Sequence, residues 1–252
     1  MLLYSPTHIA LAAFKYALDA QARAVELTRE FLQRISGVDE THHGKEYESH
    51  LELILYGSLK EAYKEQFYAR LSGLCDKGYR EFHEHELSFS LKVGGPMSMG
   101  SDVTVRLRRE FHSDAFHPTA NKWHMRYIGT PEPIAHCPVI VRKVIDSVVS
   151  SNNMMEFVKS LGLRMDYEYI TKGRVYTNGG FKVIVNDLRK TETPGKYEQG
   201  LKPISTAESL LIEVATSLPE SADYDKEAKM LRAFADQLRP LVKMEKIDYW
   251  KK

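Results

Sequence analysis

The stretch RMDYEYITKGRVYTNGGFKVIVNDLRKTET (Arg164 to Thr193) decides the fold class. Two runs with strand character flank Asn178-Gly179-Gly180. Asn-Gly between such runs is the strongest short-range hairpin signal, because both residues accept the positive φ of a tight primed turn. Away from this hairpin the same period of two recurs. Leu87, Phe89, Leu91 and Val93 alternate with Glu86, Ser88, Ser90 and Lys92. Val103, Val105 and Leu107 alternate with Thr104, Arg106 and Arg108, and Trp123, Met125 and Tyr127 with His124 and Arg126, until Gly129 and Pro131 stop the run. Such alternation marks strands with one covered face. Val139 to Val149 is partly apolar on both faces, as a strand covered on two sides would be. Leu51 to Tyr56 and Leu210, Ile212 and Val214 complete a set of about eight strands. Helical spacing appears at Lys60 to Leu74, at Asn152 to Gly162, and at Tyr224 to Leu238, where Pro240 ends it. The expected class is α+β, mainly antiparallel β. Eight such strands can close into a barrel, which abolishes exposed edges, but strand pattern alone does not separate a barrel from a sandwich.

Three parts follow from composition. Residues 1–36 read as an N-terminal amphipathic helix, opened by Ser5 and Pro6, with Leu11, Leu18, Val25 and Leu32 every seven residues. It is either an appended helix packed on the domain or a partner-binding helix. Residues 37–50 are polar and read as a linker, and residues 51–252 as the β domain. Of the 252 residues, 43% are hydrophobic and 27% charged, which suits a chain with a real core, and the formal net charge is only +1. A near-neutral chain has no long-range field to gather DNA, RNA or an anionic membrane. Cys75 and Cys137 lie far apart and form no CxxC pair, so neither a disulfide framework nor a cysteine zinc site is expected. No signal peptide and no run approaching the ~18 apolar residues of a membrane span is read.

The segments LYGSL (Leu55 to Leu59), RLSGLCD (Arg70 to Asp76), WHMRYIGTPE (Trp123 to Glu132), LGLRMDYEYITKG (Leu161 to Gly173) and FADQLRPLVKMEKID (Phe234 to Asp248) together resemble the Mediator of RNA polymerase II transcription subunit 18 family. They occur in that family's order and at similar spacing. The resemblance implies a closed antiparallel β-barrel related to tunnel-type triphosphate enzymes, a non-catalytic role in the Mediator head, and residence in the nucleus. The implied partners are Mediator subunit 20, the C-terminal helix of subunit 8, other head subunits and, indirectly, the RNA polymerase II machinery. Residues 1–36 have no counterpart in that family's core.

The barrel kinship raises one enzymatic alternative, a metal-dependent triphosphate hydrolase. Alternate strand positions share one face, so a Glu-x-Glu pair can hold a divalent metal while alternating arginines hold phosphates. Glu84 and Glu86 have that spacing, Lys92 shares their face, and Arg106, Arg108, Arg126 and Arg142 could supply positive charge. The first strand offers only Glu52 and the last only Glu213, where a second pair is needed. Ordinary solvated strand faces account for Glu84, Glu86 and Lys92 equally well. Convergence of Glu84, Glu86 and Glu213 inside an open tunnel would favour the enzyme. His83 and His85 share a face but show no third zinc ligand. No catalytic residue, metal or cofactor is therefore expected. The candidate partner-binding residues are Trp123, Arg126, Tyr127, Tyr249 and Trp250. Trp123 and Tyr127 would instead be plain core if they point inward.

Overall fold

A computed structural model describes residues 47–91, 103–112, 122–133, 136–193, 195–197, 200–205 and 207–247. The helix expected over 1–36, Lys92 with Val93, and the aromatic pair Tyr249 and Trp250 lie outside these residues. Strand β1 spans Tyr47–Lys60, so it begins inside the stretch read as a linker. The strand extends because β5 continues opposite it, pairing Tyr47 with Ser147 and His50 with Val144. A single 3-10 turn and helix α1 (Lys64–Leu74) follow. Then come β2 (Arg80–Leu91), β3 (Val103–Glu110), β4 (Lys122–Ile128) and β5 (Ile140–Ser150). Helix α2 (Met154–Ser160) leads into the hairpin of β6 (Arg164–Asn178) and β7 (Phe181–Lys190). The short β8 (Lys202–Pro203), β9 (Ser209–Pro219) and helix α3 (Asp225–Asp236) complete the order.

The sheet closes on itself. Neighbours around it run β1, β9, β7, β6, β2, β3, β4, β5 and back to β1, all antiparallel, giving eight barrel strands with β8 appended to the end of β7. The hairpin seam pairs Asn178 with Phe181, and Gly179 takes the positive φ (55°) that the turn requires. Closure thus settles what the strand pattern left open between barrel and sandwich.

The two larger apolar cores lie outside the barrel wall. Leu53, Leu55 and Leu59 of β1, Ile212 and Val214 of β9 and Val183 of β7 meet Phe67 and Leu71 of α1 and Leu231 and Phe234 of α3. Each such side chain contributes roughly 1.5–3 kcal/mol by leaving water. On the other side, Leu87, Phe89, Leu107, Trp123 and Met125 are covered by Met154 and Val158 of α2. The inner face is largely polar and encloses a cavity of about 720 Å³. Side chains therefore do not fill this barrel, as they can in small barrels. The helices draw the apolar face outward and leave the charged alternates inside.

Three of the segments that carry the family resemblance, around Leu55, Arg70 and Phe234, are joined to one another. Arg70 of α1 donates to the Gln237 carbonyl (2.9 Å) and to that of Arg239, capping the end of α3. The Leu74 carbonyl accepts from Asn178 (2.6 Å), and the Asp76 carboxylate accepts from the Gly179 N–H (3.2 Å), so α1 is fastened to the hairpin turn. Beyond Ile54 the pairing of β1 with β5 ends, and the tail takes over that edge. Tyr56 and Glu245 exchange two backbone hydrogen bonds of 3.1 and 2.7 Å. Gly57 makes room for this strap, since a Cβ there would sit 2.5 Å from Val242 and 2.7 Å from Met244.

Candidate functional site

Lone charges inside apolar strands must be neutralised, and the barrel does this across its interior. Glu52 sits in LELILY of β1 and is 5% exposed. It accepts from Arg142 Nε (2.7 Å) and pairs with Arg126 (3.2 Å). Arg142 donates onward to the Tyr56 hydroxyl (3.1 Å). Arg126 forks onto Asp146 with bonds of 2.8 and 3.1 Å. One turn of wall further on, Arg106 pairs with Glu86 (3.2 Å), which also accepts from the Tyr169 hydroxyl (2.5 Å). Arg108 pairs with Glu84 (3.3 Å). Burial alone would raise the Glu52 carboxyl, but Arg142 and Arg126 outweigh it and hold Glu52 below the ordinary carboxylate value.

Glu213 differs. It accepts from the Asn186 amide (3.1 Å) and has no ion pair among the described residues, while facing the same cavity. Burial first, and the nearby Glu52 and Glu86 carboxylates, push it up from 4.5 to about 7 against the pull of Arg106 and Arg142. A carboxyl whose folded pKa is raised holds its proton more tightly in the native state. The associated stability is complete below about pH 4.5 and is lost as pH rises through 7. The full shift is worth roughly 3 kcal/mol, and water in the cavity reduces that. Glu213→Gln should therefore unfold later than the parent by about 2 kcal/mol at pH 8 and match it at pH 4.5. Urea unfolding at the two pH values checks this, and a parallel displacement at both would refute it.

Glu84, Glu86 and Glu213 thus do line one cavity, with Arg106, Arg108 and Arg126 beside them. The arginines face carboxylates rather than open space. Among the described residues no group of three His, Cys, Asp or Glu side chains is placed to hold a metal ion. His83 and His85 share the outer face of β2 but have separate partners. The His83 ring packs at a tilt against Phe111, with ring centres 4.9 Å apart, and His85 bonds Glu168.

The partner-binding candidates on β4 fall on opposite faces. Trp123 (5% exposed) and Tyr127 (6%) are buried on the outer face, with the Arg109 guanidinium 4.5 Å over the Trp123 ring. Arg126 points into the barrel. The alternation that identifies β4 as a strand is the reason these three side chains do not form one surface. Asp146, Tyr169 and Asn186 belong to the interior network without any sequence signal having singled them out. Their readable trace is a polar residue at a wall position of a strand, such as Asp146 in VRKVIDSVV.

Comparison with known proteins fits this architecture. A family model described as Med18 protein matches residues 51–251. Mediator of RNA polymerase II transcription subunit 18 of Caenorhabditis elegans is 50% identical over 202 residues, covering 80% of this chain and 84% of that protein. The proteins of the same name from Danio rerio and Drosophila melanogaster are 36% and 34% identical, each over 79% of this chain and over 89% and 87% of their own lengths. Among solved structures, a chain of the Schizosaccharomyces pombe Mediator head module superposes with a TM-score of 0.64 at 19% identity, covering 78% of this chain and 98% of that one. The sequence relationship and the shared barrel lead to one conclusion: this chain belongs to the Med18 family.

Proposed function

We propose that this protein is a structural, non-catalytic subunit of the Mediator complex, seated in the head module in the nucleus and helping to link transcriptional regulators to RNA polymerase II. The single observation from the geometry that carries this reading is the pairing inside the barrel. Arg106, Arg108, Arg126 and Arg142 are each matched by a carboxylate within 3.3 Å. Charges consumed this way hold the wall in shape, so these four arginines are bound to carboxylates rather than held ready for a triphosphate. The names borne by the relatives supply the assembly. In this reading the finer partners are Mediator subunit 20, docked barrel to barrel, and the C-terminal helix of subunit 8 laid in a groove. Trp123, Arg126 and Tyr127 would act through the wall they stiffen, and Tyr249 and Trp250 would make direct contact with a partner.

Affinity purification of the tagged full-length chain from nuclear extract, read by mass spectrometry, should recover other head subunits. Their absence would sink the proposal. A variant lacking residues 1–36 should recover them equally well, because those residues precede the matched region. The convergence of Glu84, Glu86 and Glu213 favours a second reading, the tunnel hydrolase. Mg²⁺- or Mn²⁺-dependent release of phosphate from a nucleoside triphosphate, abolished by Glu86→Gln, would establish it and overturn the non-catalytic role.

A further inference from the structure

The arginines inside the barrel all face carboxylates, but one rim of the barrel does not balance its charge. At the end where β2 and β7 begin and β6 and β9 finish, Lys77, Arg80 and Lys182 line the mouth of the cavity. The pleat turns two of them inward. Arg80 shares the face of Phe82, Glu84 and Glu86 on β2, and Lys182 shares that of Ile184 and Asn186 on β7. Lys77 comes from the turn after α1, which is fixed to the end of β6 by the Asp76 N–H donating to the Thr177 carbonyl (2.7 Å). Arg80 lies opposite Val175 and Lys182 opposite Thr177, so the three cations arc over adjoining strand ends. All three residues are exposed. Among the described residues their side chains make no ion pair or hydrogen bond. The carboxylates nearby are engaged elsewhere. Glu81 pairs with Arg174 (3.1 Å), Glu84 with Arg108 (3.3 Å) and Asp146 with Arg126 (2.8 Å), while Asp76 accepts from the Gly179 N–H. A chain of net charge +1 has thus gathered three uncompensated positive charges at one concave mouth.

The next step inward selects the kind of anion. One inward position deeper on β2, β6 and β7 stand Phe82, Val175 and Ile184, half-buried and lining the same cavity. Val175 is the cross-strand partner of both Arg80 and Ile184, so this apolar shelf lies directly beneath the cations. A cationic rim over an apolar shelf complements a segment that carries carboxylates on either side of one bulky apolar side chain. A compact polyphosphate would meet the rim and leave the shelf in water. A nucleic-acid strand is held in proportion to the phosphates neutralised, and three cations neutralise few. We propose that this mouth docks an acidic segment of a protein partner, its carboxylates on Lys77, Arg80 and Lys182 and one apolar side chain on the shelf of Phe82, Val175 and Ile184. The docking rests on the rim and the shelf alone, whichever complex the chain joins.

Methyl NMR on the purified full-length chain, labelled at isoleucine and valine, tests this by titration with the capped peptide Asp-Glu-Asp-Leu-Glu-Asp-Glu at low salt. Saturable shifts are expected at Val175 and Ile184 and not at Ile204, which lies beyond the other end of β7. The affinity should fall as salt rises, because the rim is exposed and screened. Lys182→Glu and Arg80→Glu, both at exposed positions, should each weaken binding at least about ten-fold by setting like charges together. Lys229→Glu makes the same change of charge on the outer helix α3 and should leave binding within about two-fold. The peptide with Ser in place of Leu should bind at least about five-fold more weakly, having nothing to lay on the shelf. Absence of saturable shifts at Val175 and Ile184 would overturn the proposal. An equal loss in Lys229→Glu would reduce the attraction to net charge and overturn it too. Tripolyphosphate or an oligothymidylate binding at Val175 and Ile184 more tightly than the peptide would make the mouth a phosphate site and overturn protein docking.

Discussion

Glu52→Ala should lower the unfolding free energy by about 3–5 kcal/mol, the effect of stranding a buried charge when its partner is removed. The carboxylate and the Arg142 guanidinium are each 7% exposed, so Arg142 loses its closest counter-charge and keeps only the neutral Tyr56 hydroxyl. Arg126 keeps Asp146 and is stranded only in part. Denaturant unfolding should show the midpoint shift with an unchanged slope. The double variant Glu52→Leu with Arg142→Met should recover much of the loss, because it deletes both charges at once, and coupling of this kind is what a double-mutant cycle reads. A loss below about 1 kcal/mol in Glu52→Ala would show that the interior pairing contributes little. The acid response has a definite sign. The folded-state pKa of Glu52 is depressed, so its contribution is present above about pH 4.5 and is lost as pH falls through the lower folded value. Glu213 slopes the other way, losing stability as pH rises from about 4.5 through 7. Two carboxyls facing one cavity thus bracket a stability maximum between them.

Gly173→Ala should be nearly as damaging, at about 3 kcal/mol or more, through overpacking rather than charge. Gly173 lies in β6 between Phe82 of β2 and Asn186 of β7. A Cβ there would stand 1.9 Å from the Val185 carbonyl oxygen and 2.8 Å from the Phe82 ring. The ring can turn aside, but the carbonyl belongs to the β6–β7 pairing and can move only by opening it. Hydrogen exchange at the β6 and β7 amides should accelerate along with the loss of stability. Gly180→Ala is the matching control. A Cβ there meets only the Thr216 hydroxyl, at 3.8 Å, and the change should stay within about 0.5 kcal/mol. Similar losses in the two variants would mean that the close approach at Gly173 is not the determinant.

Strands were legible in the sequence wherever the two faces differ. β3 and β4 put Arg106, Arg108 and Arg126 inside and Val105, Leu107, Trp123 and Met125 outside, so alternation names both strands and faces. The start of β2 carried only a weak strand signal, because REFHEH (Arg80 to His85) has Phe82 as its one apolar residue. Its outer His85 is buried by Glu168 and Tyr197, residues 83 and 112 positions away. The interior network was hidden for the same reason. Glu52 looked like a solitary carboxylate because Arg142 is 90 positions away and becomes its neighbour only through the β1–β5 pairing. Glu84, Glu86 and the arginine rows were recognisable as one face, but only closure decides whether such rows meet a ligand or each other. Spacing likewise joined Trp123, Arg126 and Tyr127 into one segment, while the pleat sends Arg126 inward and the two rings outward.

The strap across Gly57 bears on how the chain can be made. β1 emerges from the ribosome first among the barrel strands, yet one flank is covered only by β5 and the other only by β9. Its last uncovered stretch waits for Glu245. An apolar strand with Leu53, Ile54 and Leu55 at its centre therefore remains an open template until nearly the whole domain has been synthesised. Vectorial synthesis leaves this molecule exposed to wrong pairings until its final segment arrives, and a chain terminated early, before Val242, would carry that exposed edge permanently.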